Sequence, residues 1–229
     1  MINSWGGITS DTHRDHRRGR GRQPDRARAA TANGYQVVIA HSPRPKTLED
    51  LIAEPGPSAR AARASDAAEA GDFTVVAVPL KVVNDMPVEE LAGKIVLDTN
   101  NYMIWRDGHI EVIDSGEKTV HELRQEHLPT SKVVAAVTHI QAPRITTAGR
   151  PPGTPDRLAL PASSDYPEAV ELVTRLYDQF GFDTVDNSPL GDSWRSAPGQ
   201  PAWIELAHQT RDELIGNLRR ARPSGRARL

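Results

Sequence analysis

Short apolar runs separated by helix-like segments recur from Tyr35 onward, and this alternation limits the possible fold more than any other feature of the chain. Several runs are apolar without interruption, as is typical of strands buried on both faces of a sheet. The pattern predicts an α/β fold whose mainly parallel sheet is covered by helices. The predicted strands are YQVVIA (35–40), FTVVAVPL (73–80), KIVLDTN (94–100), KVVAAVTHI (132–140), RLALPAS (157–163) and FDTVD (182–186).

The clearest helix signal is the segment DYPEAVELVTRLYDQFG, which begins near Asp165. We expect Asp165 to cap this helix, Glu168 to complete a capping box and Gly181 to end it. A last helix is predicted over about residues 201–222. The Pro- and Gly-rich segment 143–155 is predicted to be a loop, and it is a candidate hinge or lid over a site.

Composition excludes several classes of function. The 229 residues are 38% hydrophobic and carry a net charge of -2, which fits one soluble domain without a field that favours nucleic acid or membrane. Cysteine is absent, so disulfides and thiolate chemistry are excluded. No histidine pair has metal-ligand spacing, and no apolar run approaches the roughly 18 residues that span a bilayer. The start MINSWGGITSD lacks a secretory signal, so the cytoplasm is the expected location.

The basic turn after the first clear strand reads His41-Ser42-Pro43-Arg44-Pro45-Lys46. In dinucleotide-binding folds this turn holds the adenosine ribose, and a carboxylate there would accept a hydrogen bond from the 2′-hydroxyl of NAD. Here there is no carboxylate, whereas Ser42, Arg44 and Lys46 can bind a 2′-phosphate. The turn therefore favours NADP over NAD, with a solvated basic turn as an equally good interpretation.

Two further segments lie at the ends of predicted strands, at the edge where doubly wound sheets bind ligands. Val78, Pro79 and Leu80 are candidates to lie along a cofactor, although a proline at a strand end is equally common for structural reasons. Asn100 and Asn101 either bind a ribose or carboxamide group or simply form a turn.

Among the histidines, His139 has the best position for a site, because it follows Thr138 at the end of a predicted strand. A lone histidine is nevertheless more often structural than catalytic. His109 is expected to lie in the turn signalled by Asp107-Gly108, and His121 is expected on a helix surface.

The order of these motifs resembles the NADP oxidoreductase family that depends on the deazaflavin coenzyme F420, in particular its bacterial NADPH-dependent reductase branch. The resemblance covers about residues 32–209 and rests on VVIAHSxR, VAVPLK, LAGKIVLDTNNY, WRDGHI, RPPGTPDRLALP and GFDTVDNSPL. It implies a Rossmann-like, doubly wound sheet, NADP(H), a homodimer, and reversible hydride transfer with a small-molecule deazaflavin donor or acceptor.

The resemblance also implies roles for individual residues. The family's ribose turn runs Asn-Ser-Arg, whereas Pro43 intervenes in this chain. No catalytic residue is assigned, because hydride transfer depends more on stacking two rings than on a strong acid or base. In the implied site, the 2′-phosphate is held by Ser42 and Arg44, the cofactor is lined by Pro79 and Leu80, and the residues near the nicotinamide are Thr138 and His139.

The amino-terminal segment departs from the family pattern. A Rossmann fold begins with an apolar strand that leads into a GxGxxG turn, but residues 13–28 read HRDHRRGRGRQPDRAR and contain seven arginines. The fragment GRG (19–21) has no preceding strand signal and no apolar helix face after it. We therefore expect the first strand and the glycine-rich turn to be degraded. The expected organisation is an aberrant, disordered Arg-rich segment (1–31), an NADP-binding domain (32–155) and a strand-helix extension of that domain (156–229).

A local frameshift would explain the arginines. With a suitable choice of codons, His13–Arg28 read one base later translate as TETIGAGEVGSQIAR, which contains the missing turn as GAGEVG. Two other interpretations remain open: a nucleic-acid-binding arm, which three aspartates (Asp11, Asp15 and Asp25) and the absence of aromatic residues around the arginines disfavour, or a catalytically impaired NADP-binding or regulatory protein. As encoded, the chain is predicted to bind NADP weakly and, without a first strand, to be of low stability.

Overall fold

The computed structural model describes residues 4–9, 30, 33–41, 59–78, 80, 86–203 and 208–223. The strands in this part of the chain are β1 (Ser4–Thr9), β2 (Gln36–His41), β3 (Ala59–Ala62), β4 (Phe73–Ala77), β5 (Ile95–Asp98), β6 (Lys132–Ala136), β7 (Ala159–Ser164) and β8 (Asp183–Asp186). They form one sheet in the order β3-β2-β1-β4-β5-β6-β7-β8, parallel throughout except between β6 and β7. The mainly parallel sheet predicted from the apolar runs is confirmed, and so is the Rossmann-like fold that the resemblance implies.

The first strand is present, contrary to the expectation that the sheet lacks it. β1 lies at the centre, where Gly6 pairs with Val38 of β2 on one side and Thr74 of β4 on the other. The sequence SWGGIT is a weak strand signal, but a central strand forms backbone hydrogen bonds on both sides, and this tertiary context outweighs propensity. The predicted loss of stability from an unpaired sheet centre therefore does not apply. The fragment GRG at 19–21 lies outside the described residues.

Both faces of the sheet are buried, as the uninterrupted apolar runs predict. In β6, Val134 and Ala136 belong to one apolar cluster, whereas Val133 and Ala135 belong to another on the opposite face. Successive side chains of a strand point to opposite faces, so the two clusters are the two layers of core on either side of one sheet. This sheet contains strands from all three predicted segments, 1–31, 32–155 and 156–229.

Helices cover the sheet between the strands. In the described part of the chain, none is both long enough and apolar enough to cross a membrane. The α-helices are α1 (Ala64–Ala70), α2 (Ile104–Asp107), α3 (Glu111–Asp114), α4 (Val120–His127), α5 (Ala142–Thr147), α6 (Pro167–Phe180) and α7 (Arg211–Arg220), and a 3₁₀ helix spans Leu190–Ser196.

The predicted helix after Asp165 is confirmed as α6, but its amino end differs from the prediction. Tyr166 occupies the capping position, and no side chain caps the helix. The two side chains expected to cap the helix bind residues outside it instead. Asp165 accepts a hydrogen bond from the Leu190 backbone at 3.0 Å, and Glu168 forms an ion pair with Lys132 at 2.8 Å. Gly181 ends the helix in the left-handed conformation, as predicted.

Two other predicted elements have different bounds. The last helix begins at Arg211 instead of near residue 201, because Thr210 and Glu213 form a capping box there. The predicted loop at 143–155 contains α5, with Pro143 in the first helical turn, where a proline costs no hydrogen bond.

Candidate functional site

The carboxyl ends of β4, β5 and β6 bring together most of the described candidate residues. These strands are parallel neighbours, so the residues that follow them lie at one edge of the sheet, where doubly wound folds bind ligands. The Asn101 side-chain amide donates a hydrogen bond to the Thr138 carbonyl oxygen at 2.6 Å, which joins the loop after β5 to the loop after β6. The residues at this edge are Val78, Leu80, Asn100, Asn101, Thr138 and His139.

Three buried polar side chains at this edge have atoms without a hydrogen-bond partner among the described residues. They are Asn100, through its amide nitrogen, His139, through both ring nitrogens, and Arg124, through its two terminal guanidinium nitrogens. Burial lowers the pKa of His139 to about 4, so the imidazole is neutral at pH 7. Buried polar atoms are normally satisfied in folded proteins, and an orphaned set therefore marks a place for a ligand or an ordered water molecule.

The residues that follow β4 have a different environment. Val78 and Leu80 are both buried, and Val78 packs in an apolar cluster with Val76 and Met86. Val78 therefore supports the core beneath the edge. Four other candidates, Ser42, Arg44, Lys46 and Pro79, lie outside the described residues, and their roles stay predictions.

A buried ion cluster, formed by Asp98, His121 and Arg124, lies at the carboxyl end of β5. Asp98 Oδ2 is 3.3 Å from both Arg124 Nε and His121 Nδ1, and its Oδ1 accepts a hydrogen bond from the Asn100 backbone at 3.2 Å. Burial alone would raise the pKa of Asp98, but the Arg124 charge and His121 outweigh burial, and the pKa falls to about 2. The buried cluster thus holds the backbone that carries Asn100.

The position of His121 corrects the prediction of a surface histidine. It is 5% exposed, because α4 turns this side chain toward the aspartate at the end of β5. The available sequence signal was Asp98 itself: a carboxylate that ends an apolar strand requires a buried partner.

A second group of polar side chains, the exposed cluster, braces the loop after β5. It comprises Tyr102, His109 and Asp114, in which the Tyr102 hydroxyl donates to Asp114 Oδ1 at 2.7 Å and His109 Nδ1 lies 2.9 Å from Asp114 Oδ2. His109 lies in a turn at Gly108, as predicted, and its side chain is 77% exposed. Both contacts join residues of the segment that follows β5.

The segment after β6 forms the other border of the edge. Because β7 runs antiparallel to β6, the start of β7 lies beside the end of β6. The Arg157 guanidinium is 3.0 Å from both Asp178 and Asp183, and its Nε donates to the Arg150 carbonyl oxygen at 3.1 Å. A Cβ atom on Gly149 would lie 2.0 Å from the Phe180 carbonyl oxygen, so the backbones are in direct contact. This part of the predicted lid is anchored, which favours a fixed wall over a hinge.

Metal chemistry has no candidate site in the described part of the chain, where no three His, Cys, Asp or Glu side chains group closely enough to hold an ion.

Sequence comparison gives a family match for part of the chain. Residues 26–102 match the sequence model of the family described as NADP oxidoreductase, coenzyme F420-dependent. The Escherichia coli (strain K12) protein YjhV is 31% identical over 78 residues, which are 34% of this chain and 57% of that protein. The chain therefore aligns with less than two thirds of this curated relative.

Solved structures resemble the chain over more of its length. SMa0349 from Sinorhizobium meliloti has a TM-score of 0.72 and 23% identity, covering 92% of this chain and 97% of that one. A candidate F420-dependent NADP reductase from Arthrobacter sp. FB24 has a TM-score of 0.62 and 21% identity, covering 81% and 85%. An imine reductase from Myxococcus stipitatus has a TM-score of 0.52 and 15% identity, covering 83% and 56%. At these identities the likeness establishes the fold alone.

The family match includes the strands β2 to β5 and the residues Asn100 and Asn101 at the site edge. The resemblance indicated by the motifs is confirmed over this region: residues 26–102 carry the sequence signature of the coenzyme F420-dependent NADP oxidoreductase family.

Proposed function

We propose that the chain is an oxidoreductase that transfers a hydride between NADP(H) and a deazaflavin such as coenzyme F420, or a related acceptor. The family match at residues 26–102 supports NADP(H) as the cofactor. The observation that carries the proposal is the set of buried, unpartnered polar atoms of Asn100 and His139 at the edge where the fold binds dinucleotides.

The residues at the edge fit the nicotinamide end of the cofactor. When bound, NADPH supplies the hydride, and the acceptor takes up that hydride together with a proton. The Asn100 amide can donate a hydrogen bond, and the neutral His139 ring can donate from one nitrogen and accept at the other. A neutral imidazole does not repel the positive charge of oxidised nicotinamide, so the lowered pKa of His139 suits both redox states of the cofactor.

The proposal extends to the rest of the cofactor and to the partners. The 2′-phosphate is held by Ser42 and Arg44 with help from Lys46, and Pro79 and Leu80 line the cofactor path. The chain acts as a cytoplasmic homodimer on a small-molecule hydride donor or acceptor, without a nucleic-acid or membrane partner.

Asn100→Ala tests the cofactor site directly. Among the described residues the Asn100 amide nitrogen has no hydrogen-bond partner, so its loss breaks no internal hydrogen bond of that nitrogen, and the urea unfolding midpoint is measured in parallel to separate loss of binding from loss of stability. Loss of one ligand contact should weaken NADPH binding about tenfold, equivalent to roughly 1.4 kcal/mol. Binding is measured by NADPH fluorescence titration, with His109→Asn as the matched control on the exposed cluster. An unchanged dissociation constant in Asn100→Ala would remove Asn100 from the site.

The acceptor is tested separately, by mixing the protein with NADPH and oxidised F420 and recording loss of the deazaflavin's visible absorbance. Turnover that requires both compounds supports the proposal. Turnover with a flavin or a quinone but not with F420 would keep the NADP assignment and reject the deazaflavin.

A second candidate function follows from the missing glycine-rich turn. Without GxGxxG, the pyrophosphate loses the backbone donors that normally bind it, so the chain would be an NADP-binding or regulatory protein with impaired catalysis. NADPH binding without hydride transfer to any acceptor would favour this function. A dissociation constant in the low micromolar range would contradict the predicted weak affinity.

A further inference from the structure

Val137 has an unusual backbone conformation at the point where β6 ends and the candidate site begins. Its φ is 57°, in the left-handed region, and it lies directly before Thr138 and His139. β-Branched residues avoid this region because their side chains crowd the backbone. Such a conformation persists only where the surrounding structure holds it, and conformations of this kind cluster at ligand sites.

The Tyr177 hydroxyl holds this turn. Tyr177 lies on α6 and is 2% exposed. Its hydroxyl accepts a hydrogen bond from the Val137 backbone N–H at 2.7 Å and donates one to the Pro161 carbonyl oxygen of β7 at 3.2 Å. One buried side chain thus joins the residue after β6 to the neighbouring strand.

The same hydroxyl lies where the pairing of β6 with β7 stops. The last pair in the antiparallel register is Ala136 with Ala162, so Val137 and Pro161 would form the next pair. Instead, the Tyr177 hydroxyl bridges the N–H of one residue and the carbonyl oxygen of the other. The inserted hydroxyl thus takes the place of a direct contact between the two strands.

The turn breaks the alternation of side chains along β6. Ala136 belongs to the apolar cluster that includes α6, and Ala135 belongs to the cluster on the opposite face. Alternation would place Val137 with Ala135, but Val137 packs against the same cluster as Ala136. The turn therefore sets the direction in which the chain continues to Thr138 and His139.

Thr138 and His139 form one wall of the candidate site. The Thr138 carbonyl oxygen accepts the hydrogen bond from the Asn101 amide at 2.6 Å. Both ring nitrogens of His139 are buried without a partner among the described residues. Both features depend on the course of the chain after Val137.

We propose that Tyr177 is a positioning residue for the cofactor: its hydroxyl holds the turn at Val137 that presents Thr138 and His139 to the nicotinamide end of NADP(H). The identity of the ligand rests on the proposed function. Tyr177 acts through the turn and takes no part in the hydride transfer. Cofactor affinity should therefore follow the backbone conformation available at position 137 and not the overall stability of the fold.

Tyr177→Phe removes both hydrogen bonds of the hydroxyl and keeps the ring in the core. We expect NADPH binding, measured by fluorescence titration at a temperature where the variant is fully folded, to weaken about tenfold. Leu172→Ala, at a partly buried site on the same helix, is the matched control. It should lower the urea midpoint and leave the dissociation constant unchanged.

Glycine at position 137 separates positioning from stability. In Tyr177→Phe/Val137→Gly, glycine adopts a positive φ without strain, so the turn should persist without the hydroxyl. Binding should return to within about threefold of the natural chain, although loss of the valine side chain lowers the urea midpoint further. Tyr177→Phe/Val137→Ala loses similar packing without that conformational freedom and should not recover binding. Equal binding in the two double variants, or an unchanged dissociation constant in Tyr177→Phe, overturns the inference.

A measurement without cofactor separates the turn from the proposed function. The Asn101 side-chain amide donates to the Thr138 carbonyl oxygen, so its nitrogen and proton NMR signals report the position of the turn. These signals should shift in Tyr177→Phe and return in Tyr177→Phe/Val137→Gly. If they do so but the natural chain fails to bind NADPH, the role of Tyr177 in the turn stands and the proposed function fails. If they do not shift in Tyr177→Phe, the turn does not depend on the hydroxyl and the inference is overturned.

Discussion

The buried cluster and the exposed cluster use similar residues, but their surroundings differ. In each, an aspartate contacts a histidine at about hydrogen-bond distance: Asp98 with His121 at 3.3 Å and Asp114 with His109 at 2.9 Å. Arg124 and Asp98 are fully buried, whereas the His109 side chain is 77% exposed. Water screens the exposed pair, whereas the buried pair is not screened. Residue type alone therefore does not predict which pair contributes more to stability.

The largest effect should come from Arg124→Met. Removal of the guanidinium leaves Asp98 as a buried charge with His121 alone, and breaking a buried pair in this way typically costs about 3–5 kcal/mol. Urea unfolding at pH 7 measures the loss. The double variant Asp98→Asn/Arg124→Met is the control and should lose less than the sum of the two single variants, since it leaves no uncompensated charge. A loss below about 1 kcal/mol in the single variant would show that solvent reaches the cluster.

The second-largest effect should come from acid, which weakens the buried cluster. The pKa of Asp98 is lowered from 3.8 to about 2 in the folded state, so the unfolded state binds more protons between these values. The stabilisation is complete above pH 3.8 and is lost as the pH falls through 2, and at roughly 1.4 kcal/mol per pKa unit it amounts to about 2 kcal/mol. Measuring the free energy of unfolding of the natural chain and of Asp98→Asn across this pH range isolates the contribution of Asp98. Parallel pH profiles for the two proteins would refute it.

Loss of an uncharged, partly buried hydrogen bond in the segment after β6 should have an intermediate effect on the free energy of unfolding. The Tyr177 hydroxyl accepts a hydrogen bond from the Val137 backbone at 2.7 Å, where Val137 has φ 57°, a conformation that β-branched residues avoid. Tyr177→Phe removes that acceptor and should cost about 1–3 kcal/mol in urea unfolding. Leu172→Ala, a partly buried site on the same helix, controls for general loss of α6 packing.

The smallest effect should come from the exposed cluster. His109→Asn removes a pair that lies in solvent, so we expect no measurable change in the unfolding midpoint between pH 5 and pH 8. A clear loss of stability in this variant would mean that the loop after β5 depends on the exposed cluster as much as on the buried one.

The edge where the candidate residues meet was predictable in part because strand ends are visible in the sequence. Asn100, Asn101, Thr138 and His139 follow apolar runs, and parallel strands bring their ends to one edge. The bond between Asn101 and Thr138 was not predictable, since 37 residues separate the two partners. The burial of His121 depends on the position of α4 against the sheet, which one helix's own periodicity does not reveal.

The sequence by itself determined the α/β class, the strands from β2 onward except the short β3, the α6 helix with its glycine end, and the edge at which the candidate residues meet. These features follow from local periodicity and from the direction that parallel strands share. Only the tertiary structure decided that SWGGIT forms the central strand, that Asp165 bonds to Leu190 instead of capping its helix, and that Asp98 has two buried cationic or polar partners. Each of these depends on backbone or side-chain partners distant in sequence, and such partners can outweigh what a short segment prefers alone.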